Sequence, residues 1–207
     1  MPPTNLSAIV LCGGRSSRMG RSKALLPFGP ETMLQRTVRI VRAAVAGPIV
    51  VVAAADQSLP PLPADVAVVV DARGDRGPLE GMAAGLRHLR PSSTVAFVTC
   101  CDAPLLSAEF VRFICERLAP ADDAAAPDVD GFLHPLSAAY RIAGALPQVE
   151  SLLAADRLRA SGVLERIRTR AVDEAALRAV DPLLASLHNI NTPDEYRAAL
   201  RAAGFAE

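Results

Sequence analysis

Tryptophan is absent from this chain, and aromatic rings are scarce, with two Tyr and six Phe among 207 residues. A core must therefore be built from Ala, Val, Leu and Ile, which is feasible because 51% of the residues are hydrophobic. Net charge is also missing: 22 basic and 22 acidic side chains cancel, which removes bulk attraction to nucleic acid. No apolar run approaches the length of a membrane span, and residues 1–7 carry neither a charged n-region nor an apolar h-region. A cytoplasmic protein without membrane attachment is expected. The four cysteines, Cys12, Cys100, Cys101 and Cys115, show neither zinc spacing nor a Cys-x-x-Cys pair, and each lies in apolar surroundings. Buried free thiols in a reducing compartment are expected. No internal repeat is present, and the length suits one domain with an adequate core.

What is present concentrates between Leu11 and Lys23, LCGGRSSRMGRSK. Ala8, Ile9, Val10 and Leu11 read as a buried strand that stops at Gly13 and Gly14. A glycine pair lets backbone N–H groups approach an anion with no Cβ in the way. Arg15, Arg18, Arg21 and Lys23 follow with no acid among them, which suits a polyphosphate. The spacing matches neither a Walker A loop nor a dinucleotide G-x-G-x-x-G turn. On composition alone an ordinary basic surface loop stays open beside the phosphate reading.

Further along, residues 31–45 carry apolar positions at helical spacing, ended by Gly47 and Pro48. Residues 49–54, 66–70 and 95–99 are short, wholly apolar strands, which predicts burial on both faces in a parallel sheet. Helices are expected over 79–89 and over 108–118, the latter capped by Ser107. After residue 119 the pattern changes. Asp130-Gly131 predicts a hairpin between 124–126 and 135–141, hence at least one antiparallel strand. Helices over 142–155 and 161–168, a short strand over 170–173 and a last helix capped by Thr192, with Pro193 first, complete the chain. The fold class is α/β: a Rossmann-like, doubly wound, mostly parallel sheet with helices on both faces. Ligands bind such sheets beyond the carboxyl ends of the strands, where the glycine turn, Asp71 and Asp102 all fall.

The run from Leu11 to Lys23 resembles the L-A-G-G-x-S-x-R-M-G-x-x-K signature of the MobA-like nucleotidyltransferases, the family that includes molybdenum cofactor guanylyltransferase. Three further runs follow in the family's order. Gly77-Pro78-Leu79-Glu80-Gly81 is similar to G-P-L-x-G, Cys101-Asp102-Ala103-Pro104 to C-D-x-P, and Asn189-Ile190-Asn191-Thr192-Pro193 to N-x-N-T-P. The resemblance implies GTP as donor, with Leu11, Cys12, Gly13, Gly14, Lys23, Asp71, Gly77, Pro78, Leu79, Gly81 and Asp102 around the nucleotide. It implies Mg2+ on Asp102, with Lys23 and Arg18 neutralising the phosphates. The acceptor would be molybdopterin, near Asn189, Asn191 and His134, with molybdoenzyme or chaperone proteins as recipients of the product. The nucleotide half would span about 1–118 and the acceptor half about 119–207 of a single domain.

Each residue also has a plainer use: a turn acid for Asp71 and Asp102, a helix start for Pro78, capping for the Asn-x-Asn-Thr run and a hairpin strand for His134. Cys12 stands where the family usually has Ala, and Ala53 or Ala54 stands where some members carry an Asn that touches the nucleotide. The stretch 150–168 has no clear G-E-R-R-type turn, its nearest match being Asp156-Arg157-Leu158-Arg159. Gly13, rather than the Ala of CTP-using relatives, favours GTP. The reaction implied is attack of an acceptor phosphate on the α-phosphorus of GTP with loss of pyrophosphate. No general base is needed, and no Ser–His or His–carboxylate pair stands out. Use of CTP or a sugar-phosphate acceptor, or a regulator that binds nucleotide without catalysis, remain the alternatives.

Overall fold

The computed structural model describes residues 6–13, 22–71 and 76–205. In chain order its elements are β1 (Leu6–Leu11), a 3-10 turn at Lys23–Leu25, β2 (Pro27–Phe28), β3 (Glu31–Thr32), α1 (Met33–Arg42), β4 (Ile49–Ala54), β5 (Val66–Asp71), α2 (Pro78–Leu89) and β6 (Val95–Cys100). There follow α3 (Ala108–Glu116), β7 (Ala124–Val129), β8 (Phe132–Leu133), β9 (Ala138–Arg141), α4 (Ile142–Ala154), α5 (Ser161–Leu164), β10 (Thr169–Val172), α6 (Glu174–Arg178), a 3-10 turn at Ala185–Leu187 and α7 (Pro193–Ala202).

The main sheet runs β10-β7-β9-β6-β1-β4-β5, with β8 hanging from β7. Strands β6, β1, β4 and β5 are parallel neighbours, β9 is antiparallel to both β6 and β7, and β10 is parallel to β7. The apolar runs lack alternation because both faces are covered. Ala8 and Val10 of β1, Ile49, Val51 and Ala53 of β4 and Val95 and Phe97 of β6 pack on the side of α1 and α3. Ile9 and Leu11, Val50 and Val52, and Ala96 and Val98 point the other way, into the layer built by α2 and α4. Period-2 geometry thus divides one apolar string between two cores.

β5 departs from the expectation. Its string is as apolar as the others, yet Val68 and Val70 are 49% and 55% exposed, because this strand ends the sheet and lies beyond the cover of α1. Helix α1 starts later than its periodicity suggests. Glu31 and Thr32 pair with Pro27 and Phe28, and Thr32 closes a capping box with Gln35. The helix expected over 161–168 stops at Leu164, whose carbonyl is taken by the Thr169 hydroxyl at 2.8 Å. The Asp130-Gly131 turn forms as expected, with φ of 53° and 75°, and joins β7 to β8. Helix α6 has no counterpart in the sequence reading; Asp173 caps it by accepting from the Ala176 N–H.

A third, smaller core decides where the chain's end lies. Leu26, Phe28 and Met33 pack against Ile190, Ala199 and Leu200, docking α7 on the β2–β3 hairpin. Among the described residues no helix is long and apolar enough to cross a membrane.

Candidate functional site

The parallel strands β1, β4, β5 and β6 end at one edge of the sheet, and their registers bring the ends together. Leu11 is level with Val52 and with Cys100, and Ala54 with Asp71. The ladder runs one step further on each side of β1. Cys12 N–H donates to Val52 O and Cys101 N–H to Leu11 O, both at 2.9 Å. Gly13 and Asp102 are therefore set side by side where the strands stop. A cavity of about 290 Å³ opens there.

Of the residues singled out in the sequence, Leu11, Cys12, Gly13, Lys23, Asp71, Gly77, Pro78, Gly81 and Asp102 all line this cavity. Leu79 belongs to the same run but sends its side chain into the α2 core, where it is fully buried, so only its backbone can serve the cavity. Gly14 and Arg18 lie outside the described residues. The structure does not bring His134 or Asn189 to the cavity. His134 is half-buried on the β7–β8 hairpin, its N–H on Pro127 O, and Asn189 lines a separate apolar recess beside α7.

Asn191 reaches the site from the far end of the chain. Lys23 Nζ donates to Asp102 Oδ2 at 3.0 Å and to Asn191 Oδ1 at 2.9 Å. The docking of α7 on the hairpin makes this meeting possible, and Ile190 N–H fastens the segment to Asp102 O at 2.8 Å. Thr192 and Glu195 form a capping box, and Glu195 also accepts from Asn191 N–H at 2.6 Å. These bonds, the one from Asn191 first, hold the Glu195 carboxyl below its usual range. The Asp102 carboxylate is unevenly satisfied. Its Oδ2 meets Lys23, while its Oδ1 is buried with no hydrogen-bond partner among the described residues.

Two glycines leave little room for a side chain. A Cβ on Gly13 would lie 3.2 Å from Ala54 N, and one on Gly81 would lie 3.2 Å from Leu11 Cδ2 and 3.9 Å from Asp71 Oδ2. Gly77 precedes α2 at φ 78°, a conformation that favours glycine, and Pro78 follows at the first helical position.

Cys12, Cys100 and Cys101 form part of the cavity wall. Burial pushes the Cys12 thiol up to about 12 and the other two well above their ordinary value, with Asp102 adding to the rise. They are packing groups rather than nucleophiles. Among the described residues no cluster of three or more His, Cys, Asp or Glu could hold a metal ion. Gln57 and Leu136 were not singled out in the sequence. Leu136 lines the cavity, and Gln57 bonds to both Cys12 and Ser22. No motif marks Gln57, whereas Leu136 ends the His134-Pro135-Leu136 run, which is similar to the region where the family reaches its second substrate.

The family model for the MobA-like NTP transferase domain matches residues 8–198. A molybdenum cofactor guanylyltransferase of Desulfosudis oleivorans is 31% identical over 195 residues, covering 94% of each chain. A Mycobacterium tuberculosis protein named "Probable molybdenum cofactor guanylyltransferase" is 36% identical over 191 residues, covering 90% of this chain and 89% of its own. Among solved structures, molybdopterin-guanine dinucleotide biosynthesis protein A of Archaeoglobus fulgidus superposes with a TM-score of 0.75 at 22% identity, covering 96% of this chain and 98% of its own.

Proposed function

The chain belongs to the MobA-like NTP transferase family, and from that premise we propose that it transfers GMP from GTP to the phosphate of molybdopterin, releasing pyrophosphate. The observation that carries this reading is the meeting of Lys23, Asp102 and Asn191 beside the Gly13 turn, over one cavity at the carboxyl ends of the parallel strands. The full-length relatives named as molybdenum cofactor guanylyltransferases support the choice of GTP and of this acceptor.

In this reading the nucleotide lies across Gly13 and the Gly77–Gly81 run. With no side chain on Gly13, its backbone can come close to the phosphates. The start of α2, held open by Gly77, offers backbone groups to the guanine edge. Lys23 neutralises phosphate charge. Arg18, outside the described residues, is proposed to do the same. The acceptor phosphate is already anionic when it attacks the α-phosphorus in line, so positioning and charge neutralisation suffice and no base is required.

The donor set fits a divalent cation. Asp102 lines a cavity that also receives the Lys23 ammonium, its buried Oδ1 has no hydrogen-bond partner among the described residues, and Mg2+ needs only one or two protein carboxylates beside substrate phosphates. Asp102 would hold Mg2+, which when bound supplies charge neutralisation at the α-phosphate. Asn191 stands close enough to Lys23 to orient the ammonium. Residues 1–118 would form the nucleotide half and 119–207 the acceptor half, which meet across β6 and β9.

The test is pyrophosphate release from GTP and from CTP, each with molybdopterin and with a sugar phosphate, in the presence of magnesium. Release with GTP and molybdopterin alone is expected. Turnover of CTP instead would overturn the donor assignment, turnover of a sugar phosphate the acceptor assignment, and nucleotide binding without any release the enzymatic reading.

A further inference from the structure

The cavity is held at one corner by a side chain that does not itself line it. Strand β4 ends in Ala53 and Ala54, and the chain turns back through Asp56 at φ 60°, with Gln57 N–H on Ala54 O at 3.2 Å. That turn points the Gln57 carboxamide at the start of the glycine segment. Its Nε2 donates to Cys12 O at 2.8 Å and to Ser22 Oγ at 3.3 Å, and its Oε1 accepts from Ala54 N–H at 3.0 Å. Both amide hydrogens are thus used, one on each end of the stretch that joins Gly13 to Lys23. Ser22 makes no capping bond to the 3-10 turn it precedes, which leaves its hydroxyl to Gln57.

The third bond bears on Gly13 directly. Ala54 N is the atom that a Cβ on Gly13 would press against at 3.2 Å, so the group Gln57 fixes is the floor beneath the glycine turn. No side chain of Ala53, Ala54 or Ala55 can make these bonds. One carboxamide therefore joins three chain segments, two through backbone groups and one through the Ser22 hydroxyl, and two of the three flank residues assigned to the phosphates.

We propose that Gln57 is the positioning residue of the phosphate-binding turn: it sets Cys12-Gly13 and Ser22-Lys23 at their working separation before nucleotide arrives. The proposal rests on the nucleotide reading given above and deepens it. Flanking segments held in place in the free protein cost less ordering on binding, so the loss of Gln57 weakens nucleotide affinity. Bound nucleotide then restores the arrangement, so turnover at saturation changes little.

The experiment compares wild type with Gln57→Ala and Gln57→Met, the second filling a similar volume with neither donor nor acceptor. Affinity for GTP with magnesium is measured by calorimetry, kcat and KM by pyrophosphate release, and amide hydrogen exchange over residues 11–24 in nucleotide-free protein. Expected are a roughly tenfold rise in Kd and KM for both variants, kcat within about threefold of wild type, and faster exchange over 11–24. A Gln57→Met variant that binds GTP within twofold of wild type overturns the proposal, since packing alone would then suffice. If wild type itself fails to bind GTP, the nucleotide reading fails, and exchange decides on Gln57 separately. Unchanged exchange in both variants would overturn its role, and faster exchange would keep it.

Discussion

Lys23 Nζ stands 3.0 Å from Asp102 Oδ2 and 2.9 Å from Asn191 Oδ1, so one ammonium gathers groups from the first, middle and last parts of the chain. The Lys23 and Asp102 side chains are 17% and 21% exposed, enough shielding for a charged hydrogen bond to matter. Asp102→Ala is expected to reduce pyrophosphate release by about three orders of magnitude with an unchanged far-ultraviolet circular dichroism spectrum. Lys23→Ala should lose turnover and weaken nucleotide binding together. Normal turnover in Asp102→Ala would remove the metal assignment, and unchanged affinity and rate in Lys23→Ala the phosphate role.

Two glycine substitutions should separate site from scaffold. In Gly13→Ala the new methyl meets the backbone of Ala54, which cannot swing aside, and the cavity wall must shift. Nucleotide affinity should fall at least tenfold with little change in melting temperature. In Gly85→Ala the methyl would lie 2.8 Å from Ile9 Cγ2, inside the fully buried layer under α2. Overpacking there costs about 1–3 kcal/mol, partly offset by the roughly 1 kcal/mol helix preference of Ala over Gly. Melting temperature should fall and KM should hold. Calorimetric melts with steady-state kinetics on both variants read the contrast, and a crossed pattern would show the assignments reversed.

The distribution of legible features follows from what each depends on. Strands β1, β4 and β6 were readable because burial on two faces writes an unbroken apolar string, and Asp130-Gly131 was readable because its turn demands left-handed backbone. The edge position of β5 was not, since Val66 to Val70 are as apolar as a central strand and only sheet order exposes them. Gly13, Asp71 and Asp102 could be placed at one edge from strand order alone. Asn191 needed its motif, and its approach to Lys23 depends on the third core around Phe28, a contact between chain ends that no local pattern encodes. Gln57 carries no signature, because two of its three bonds go to backbone groups that any residue supplies and the third to a single serine hydroxyl.

The cysteines of the cavity wall should behave as packing groups. With the Cys12 thiol pushed up to about 12 by burial, the thiolate is scarce at pH 8. Iodoacetamide at that pH should leave Cys12, Cys100 and Cys101 largely unmodified in the native protein and label all three in urea. Mass spectrometry of the digested protein checks this. Rapid native labelling of Cys12 would mean that the cavity wall opens far more than its burial indicates.

His134 gives the fold an acid sensitivity. Burial holds its imidazole below the ordinary value of 6.5, with Asp128 opposing the shift. The unfolded chain therefore takes up the proton more readily than the folded one, and stability rises with pH in this window. The contribution is intact above pH 6.5 and is lost as pH falls from there through the lower folded value. Urea unfolding at pH 7.5 and 5.5 should show a smaller loss of stability for His134→Gln than for wild type. Equal losses would place the acid sensitivity elsewhere.

The Asn191-Thr192 pair tests whether this segment serves catalysis or only starts a helix. Thr192 Oγ1 accepts from Glu195 N–H at 3.2 Å in a capping box, and its replacement by Ala should cost about 1 kcal/mol of stability. Asn191 is exposed, so Asn191→Ala should change stability by no more than about 0.5 kcal/mol. It does, however, remove an oxygen on which the Lys23 ammonium rests. The expected pattern is therefore crossed. Thr192→Ala should lower the urea midpoint with kcat within about threefold of wild type, because Glu195 still holds the Asn191 N–H. Asn191→Ala should keep the midpoint and lose at least tenfold in kcat, since among the described residues the ammonium would then lean on Asp102 alone. Parallel effects of both variants on stability, with no selective loss of turnover in Asn191→Ala, would reduce the segment to a helix start.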